Sequence, residues 1–69
     1  MPLVNHLKEL RARTGINQQE LGTAVGASRQ TISLIERGDY NPSVSLALKI
    51  AEYFNVSVEE AFALTEEGE

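Results

Sequence analysis

Apolar residues recur along this chain in short clusters set off by polar punctuation. Leu7 and Leu10, with Val4 just before them, repeat at three-residue spacing. That spacing predicts a first helix capped by Asn5, burying these three residues along one stripe and ending near Thr14-Gly15. Asn17-Gln18-Gln19-Glu20 has a cap residue followed three positions later by glutamate, the signature of a capping box. It opens a second helix that turns Leu21, Ala24 and Val25 inward and stops at Gly26. Ser28 caps a third helix, which Gly38 ends as a left-handed residue. Asn41-Pro42 keeps the chain extended, because proline disfavours helical backbone in the residue before it. Ser43 then caps a fourth helix, whose stripe of Leu46, Ile50 and Phe54, with Ala47 and Ala51 beside it, is the longest in the sequence. Asn55 can end it in place of glycine. A second capping box, Ser57-Val58-Glu59-Glu60, opens a short fifth helix running to about Phe62.

These elements predict an all-α domain of five short helices. "PLV" near the start and "FALT" near the end are extended enough to pair as a short two-stranded β-ribbon. With 69 residues, 42% of them hydrophobic, the chain can close one core, so residues 1–65 are read as a single domain and 66–69 as an acidic, mobile tail. No cysteine is available for a disulfide or a thiolate metal site, which leaves stability to packing and fits a reducing cytoplasm. No stretch approaches the roughly 20 apolar residues of a membrane span. The expected location is therefore cytoplasmic, with no membrane partner.

The formal charge of -4 argues against a general polyanion binder, since nonspecific affinity for nucleic acid comes from neutralising phosphates with Lys and Arg. The charge is unevenly spread, however. Residues 1–41 carry five cations against four anions, for a net +1, and residues 42–69 carry one against six, for a net -5. A polyanion can meet the N-terminal half while the acidic half points away.

The third helix has two kinds of surface. At about 100° per residue, Ser28, Ile32, Ile35 and Glu36 gather on one side, expected to face the core, while Arg29, Gln30, Ser33, Leu34 and Arg37 fall toward the other. The Gly26-Ala27 turn before it permits only a sharp bend, so the second and third helices are expected to cross as a helix-turn-helix, the third entering a major groove. Arg29 suits guanine O6 and N7, and Gln30 suits adenine N6 and N7. Leu34 can sit against a thymine methyl or can serve fold or dimer packing. Glu36, the acid on the inner side, needs a cation to offset its desolvation. Arg11 or Arg13 at the end of the first helix can supply it; Arg11 is the preferred partner, which leaves Arg13 for phosphate.

The run "NQQELGTAVGASRQTISLIERGDYNPSVSLALKIAEYFNVSVEEAF" resembles the Cro and lambda-repressor-like, or XRE, helix-turn-helix family over about residues 5–62, with the helix-turn-helix itself at about 17–37. It is most similar to small stand-alone bacterial regulators, commonly homodimers with a short terminal ribbon. The resemblance implies that Gln18 bonds a phosphate and buttresses the recognition helix. It also implies that Ser28, Arg29, Gln30 and Ser33 touch bases or adjacent phosphates, that Arg37, Tyr40 and Asn41 run along the DNA backbone, and that Arg11 and Glu36 form a structural ion pair.

The remaining chemistry is sparse. His6 is the only histidine and lacks companions at metal-ligand spacing, and no serine has a convincing general base. No enzyme activity, cofactor, metal or small-molecule ligand is expected. Tyr53, Phe54 and Phe62 read as core or dimer contacts, and Tyr53, Val56 and Leu64 as the apolar remainder available for dimerisation. The expected function is a dimeric repressor reading a palindromic operator in double-stranded DNA. An antitoxin-like or regulatory protein-binding module, using the acidic half, is the alternative.

Overall fold

The computed structural model describes residues 3–65. The elements run β1 (Leu3–Asn5), α1 (Leu7–Thr14), α2 (Gln18–Val25), α3 (Arg29–Arg37), α4 (Val44–Phe54), α5 (Val58–Ala61) and β2 (Phe62–Leu64). The five helices and the terminal ribbon thus follow the expected order. Pro2 of the expected first strand and the acidic segment 66–69 lie outside the described residues.

Local chemistry sets most of the boundaries. Asn17 accepts from the Glu20 backbone N–H at 2.7 Å while Glu20 accepts from that of Asn17 at 3.0 Å. Ser57 and Glu60 form the same reciprocal pair at 3.1 and 2.9 Å. Ser28 and Ser43 cap α3 and α4 by accepting from Thr31 and Leu46. These bonds satisfy donors that the first turn of a helix leaves without partners. Asn55, at φ 58, closes α4 in the left-handed region.

The first helix departs from expectation at its start. Its cap position is His6, which makes no capping bond. Asn5 instead belongs to β1, from where its Oδ1 accepts from Leu7 N–H at 3.2 Å and its Nδ2 donates to the Ile35 carbonyl at 2.8 Å. One side chain therefore serves the start of α1 and ties the ribbon to α3. Val4 is consequently a strand residue on the outer side, 38% exposed, and not a member of the α1 stripe.

The core comprises Leu7, Leu10, Leu21, Val25, Ile32, Ile35, Ile50, Ala51, Ala61 and Phe62. Full burial of a Leu or Ile side chain contributes about 1.5–3 kcal/mol, so the isoleucines of α3 and α4 and the leucines of α1 and α2 hold the helices together. Leu46, Ala47, Phe54 and Val56 pack around them while half-buried. Val56 is thus part of the core's margin and not an exposed apolar residue. Ala24 is exposed, and Gly22 takes the inward place expected of it. Helix α5 stops at Ala61 because Phe62 is already extended, at φ -136 and ψ 147. From there β2 pairs antiparallel with β1, Asn5 opposite Phe62 and Leu3 opposite Leu64, so the two ends of the described chain close on each other.

Candidate nucleic-acid interface

Two close contacts and one ion pair set the position of α3. Gly26, at φ 77, ends α2 in a backbone region that costs L-residues with a Cβ about 1–2 kcal/mol, and the chain reverses through Ala27 to the Ser28 cap. The turn then folds back onto α2 itself: Ala27 N–H donates to the Gly22 carbonyl at 2.8 Å. A Cβ on Gly22 would lie 2.5 Å from the Ala27 carbonyl oxygen. The crossing of α2 and α3 therefore depends on a missing side chain. Hydrophobic periodicity does not register this residue, although a glycine inside a predicted helix, where it costs about 1 kcal/mol relative to alanine, is itself a signal of close approach.

The inner side of α3 is locked by charge. Arg11 Nε donates to Glu36 Oε2 at 2.6 Å and its Nη2 to Oε1 at 2.9 Å, a bidentate pair, and its Nη1 donates to the Ile16 carbonyl at 3.2 Å. Gln18 Nε2 adds a third donor to the carboxylate at 3.1 Å. The Glu36 side chain is only 7% exposed. Burial alone would push its carboxyl up, but the bonds from Arg11 and Gln18 and the Arg11 charge outweigh it and hold the group below the usual carboxylate range. The same bond to Glu36 raises Arg11. Arg11 is therefore the partner of Glu36, and the Gln18 bond joins the start of α2 to the end of α3.

With Ile32 and Ile35 buried and Glu36 paired, the rest of α3 turns outward. Arg29, Gln30 and Arg37 are exposed, and Ser33 and Leu34 are half-buried. Gln30, Ser33 and Arg37 follow one another at three- and four-residue steps along one face. Ser28 is exposed at the cap, where its Oγ also lies 2.9 Å from Thr31 Oγ1, so it does not face the core as the helical projection suggested. Tyr40 and Asn41 are exposed in the loop after Gly38. Arg13 is exposed at the end of α1 and lies within electrostatic reach of Glu60, whose carboxyl is held low mainly by its bonds to Ser57. His6 Nδ1 pairs with Glu9 Oε1 at 3.1 Å on the surface. Among the described residues no cluster of metal-ligating side chains occurs, and no helix is long and apolar enough to cross a membrane.

Two helices crossing at a sharp glycine turn, the second braced on its inner side by an ion pair and presenting a polar strip to solvent on the other, define a helix-turn-helix domain. The helix-turn-helix family profile matches residues 7–60, and the chain belongs to that family in its XRE form, whose members are DNA-binding transcriptional regulators and not enzymes. It is 54% identical over 64 residues to the HTH-type transcriptional regulator YgzD of Bacillus subtilis, covering 93% of this chain and 97% of that protein. An HTH-type transcriptional regulator of Archaeoglobus fulgidus is 48% identical over 61 residues, 88% of this chain and 86% of the relative. The fold is similar to that of the restriction-modification controller protein C.AhdI from Aeromonas hydrophila, with a TM-score of 0.73 and 33% identity over 78% of this chain and 82% of that one. The likeness thus extends across Bacteria and Archaea, beyond the bacterial regulators that the motif suggested.

Proposed function

We propose that the protein is a cytoplasmic transcriptional repressor that binds double-stranded DNA as a homodimer. Each copy would place α3 in the major groove of one half-site of a palindromic operator. The observation that carries this reading is the division of α3. Packing and the Arg11–Glu36 pair account for Ile32, Ile35 and Glu36, and they leave Arg29, Gln30, Ser33 and Arg37 without a structural duty toward the core. Those side chains match what the major groove offers: a guanidinium for guanine O6 and N7, and an amide for adenine N6 and N7.

In this arrangement Ser28 at the cap, Gln18 at the start of α2 and the loop from Arg37 through Tyr40 to Asn41 anchor phosphates. Such contacts set register without reading sequence. Arg13 adds charge at the margin, and half-buried Leu34 meets a thymine methyl. The functional unit is residues 1–65. Exposed Tyr53 and Leu64, the latter 64% exposed on β2, supply apolar surface for a second copy. Two half-sites about one helical turn apart follow from the two-fold symmetry.

Arg29→Ala and Gln30→Ala are each expected to weaken binding to a selected operator by about 1–3 kcal/mol and to relax one base position per half-site. Fluorescence anisotropy on the operator and its single-position variants measures both effects. Unchanged affinity in both substitutions would show that α3 is not the reading element. Stable capture of a protein partner by a chain that binds no duplex would instead favour the protein-binding alternative.

A further inference from the structure

Asp39 occupies a place that folding does not explain. Its backbone N–H donates to the Leu34 carbonyl at 2.9 Å, closing the end of α3 just beyond left-handed Gly38. Its carboxylate therefore sits at the C-terminal end of a helix, where the aligned peptide dipoles favour cations and disfavour acids. The carboxylate lies 3.5 Å from Arg37 Nε, and both side chains are 62% exposed. An ion pair so open to water adds little to stability. Between Ser28 and Lys49 the acids are Glu36 and Asp39, and Glu36 is already committed to Arg11 and Gln18. Asp39 is thus the acid in this stretch that is left to face whatever α3 and its following loop face.

We infer that Asp39 is a built-in counterion for Arg37 that suppresses sequence-independent attachment to DNA. The inference rests on the proposed binding surface. Association with DNA is driven by cations released from phosphates, and the number released follows the net positive charge brought to them. An Arg37–Asp39 pair brings no net charge, so Arg37 can orient a phosphate contact while contributing little to the salt-dependent term. Discrimination then depends on the groove-reading side chains, Arg29 and Gln30, because indiscriminate affinity at this corner of the interface is held down. A domain whose net charge is already -4 would otherwise be expected to retain each cation on its DNA side unopposed.

The test is a salt titration of binding to a short fluorescein-labelled duplex of mixed sequence, with the full chain, Asp39→Asn, Arg37→Ala, the double variant and Arg29→Ala. Asp39→Asn is expected to steepen the slope of log affinity against log salt by about 0.9, an additional loss of roughly threefold to fourfold between about 50 and 200 mM salt. Arg37→Ala in the Asp39→Asn background, where the cation is unopposed, is expected to return the slope to about that of the parent chain. If Arg29→Ala weakens binding but Asp39→Asn leaves the slope unchanged, the counterion assignment is overturned and the binding surface stands. If binding is indifferent to all of the substitutions, or no duplex is bound, the surface fails and the inference fails with it. Circular dichroism of each variant confirms that the helices are intact, so that a slope change is read as charge and not as unfolding.

Discussion

Gly22→Ala is expected to destabilise the domain by about 2–3 kcal/mol, reversing the sign that helix propensity assigns to it. In an open helix the substitution would contribute about 1 kcal/mol of stability. Here the new Cβ would stand 2.5 Å from the Ala27 carbonyl oxygen, with the Ser28 carbonyl carbon at 3.3 Å behind it. Neither is the end of a flexible side chain. The turn that carries them is tied to Gly22 by its own hydrogen bond, so relief requires α2 and α3 to separate. Overpacking of this kind costs about 1–3 kcal/mol and occasionally more. A chain of 69 residues has a total stability of only about 3–10 kcal/mol, so the loss is visible directly in urea unfolding. Gly15→Ala is the control, because its φ of 79 imposes strain but no neighbour lies within 4 Å of the added Cβ. The control should cost about 1–2 kcal/mol and leave the crossing of α2 and α3 unchanged. If Gly22→Ala were as stable as the parent, the tight crossing would be wrong.

Arg11→Ala is the second large effect, with an expected loss of about 3 kcal/mol at neutral pH. It would leave the Glu36 carboxylate, 7% exposed, with Gln18 as its remaining donor. The pH dependence gives the sharper test. In the parent chain Glu36 titrates below its ordinary value. Its contribution is therefore fully present above the unfolded-state value and is lost as pH falls through the folded one. Once Arg11 is gone, burial is opposed only by the Gln18 bond and the Lys8 charge, and the group's pKa is expected to rise above the unfolded value. The penalty is then present at neutral pH and relieved as acid protonates the buried carboxyl. Parent and variant should therefore converge in stability between about pH 7 and pH 4, measured by urea midpoints across that range. Replacing both partners by apolar residues of similar size should recover much of the loss, because the cost lies in the orphaned charge and not in the pair's absence. Parallel pH profiles for parent and variant would contradict this assignment.

The sequence disclosed best what is decided locally. Asn17, Ser28, Ser43 and Ser57 cap helices because short polar side chains reach first-turn N–H groups from that position, whatever the rest of the chain does. The need of Glu36 for a cation was legible for a similar reason, since a carboxylate on a helix's inner side cannot stand alone. That α1 ends beside α3 leaves Arg11 and Arg13 as candidates, and the family resemblance favours Arg11. What pairing and packing decide between elements was harder. Val4 fell on the α1 spacing, but its neighbour is Ala63 across a ribbon, a pairing that joins opposite ends of the described chain. Ala24 reads as an inward residue because it is apolar. A single methyl group carries too little hydrophobic weight to fix a helix's rotation, and Leu21, Gly22 and Val25 define the buried side instead. Gly22 escaped for a complementary reason: periodicity records side chains, and its role is to have none. The polar strip of α3 is the remainder after the core is assigned: Arg29, Gln30 and Arg37 are exposed, Ser33 and Leu34 are half-buried, and Ser28 departs because the projection treats a cap residue as though it were already helical.

The central claim, that the outward strip of α3 reads DNA sequence, is tested most directly by selecting bound duplexes from a random pool with the parent chain and with Gln30→Ala. The parent is expected to enrich a palindrome with half-sites about one helical turn apart, and Gln30→Ala to degrade one symmetric pair of positions while leaving the others. Enrichment of no sequence by the parent chain, or of the same unaltered motif by both proteins, would contradict it.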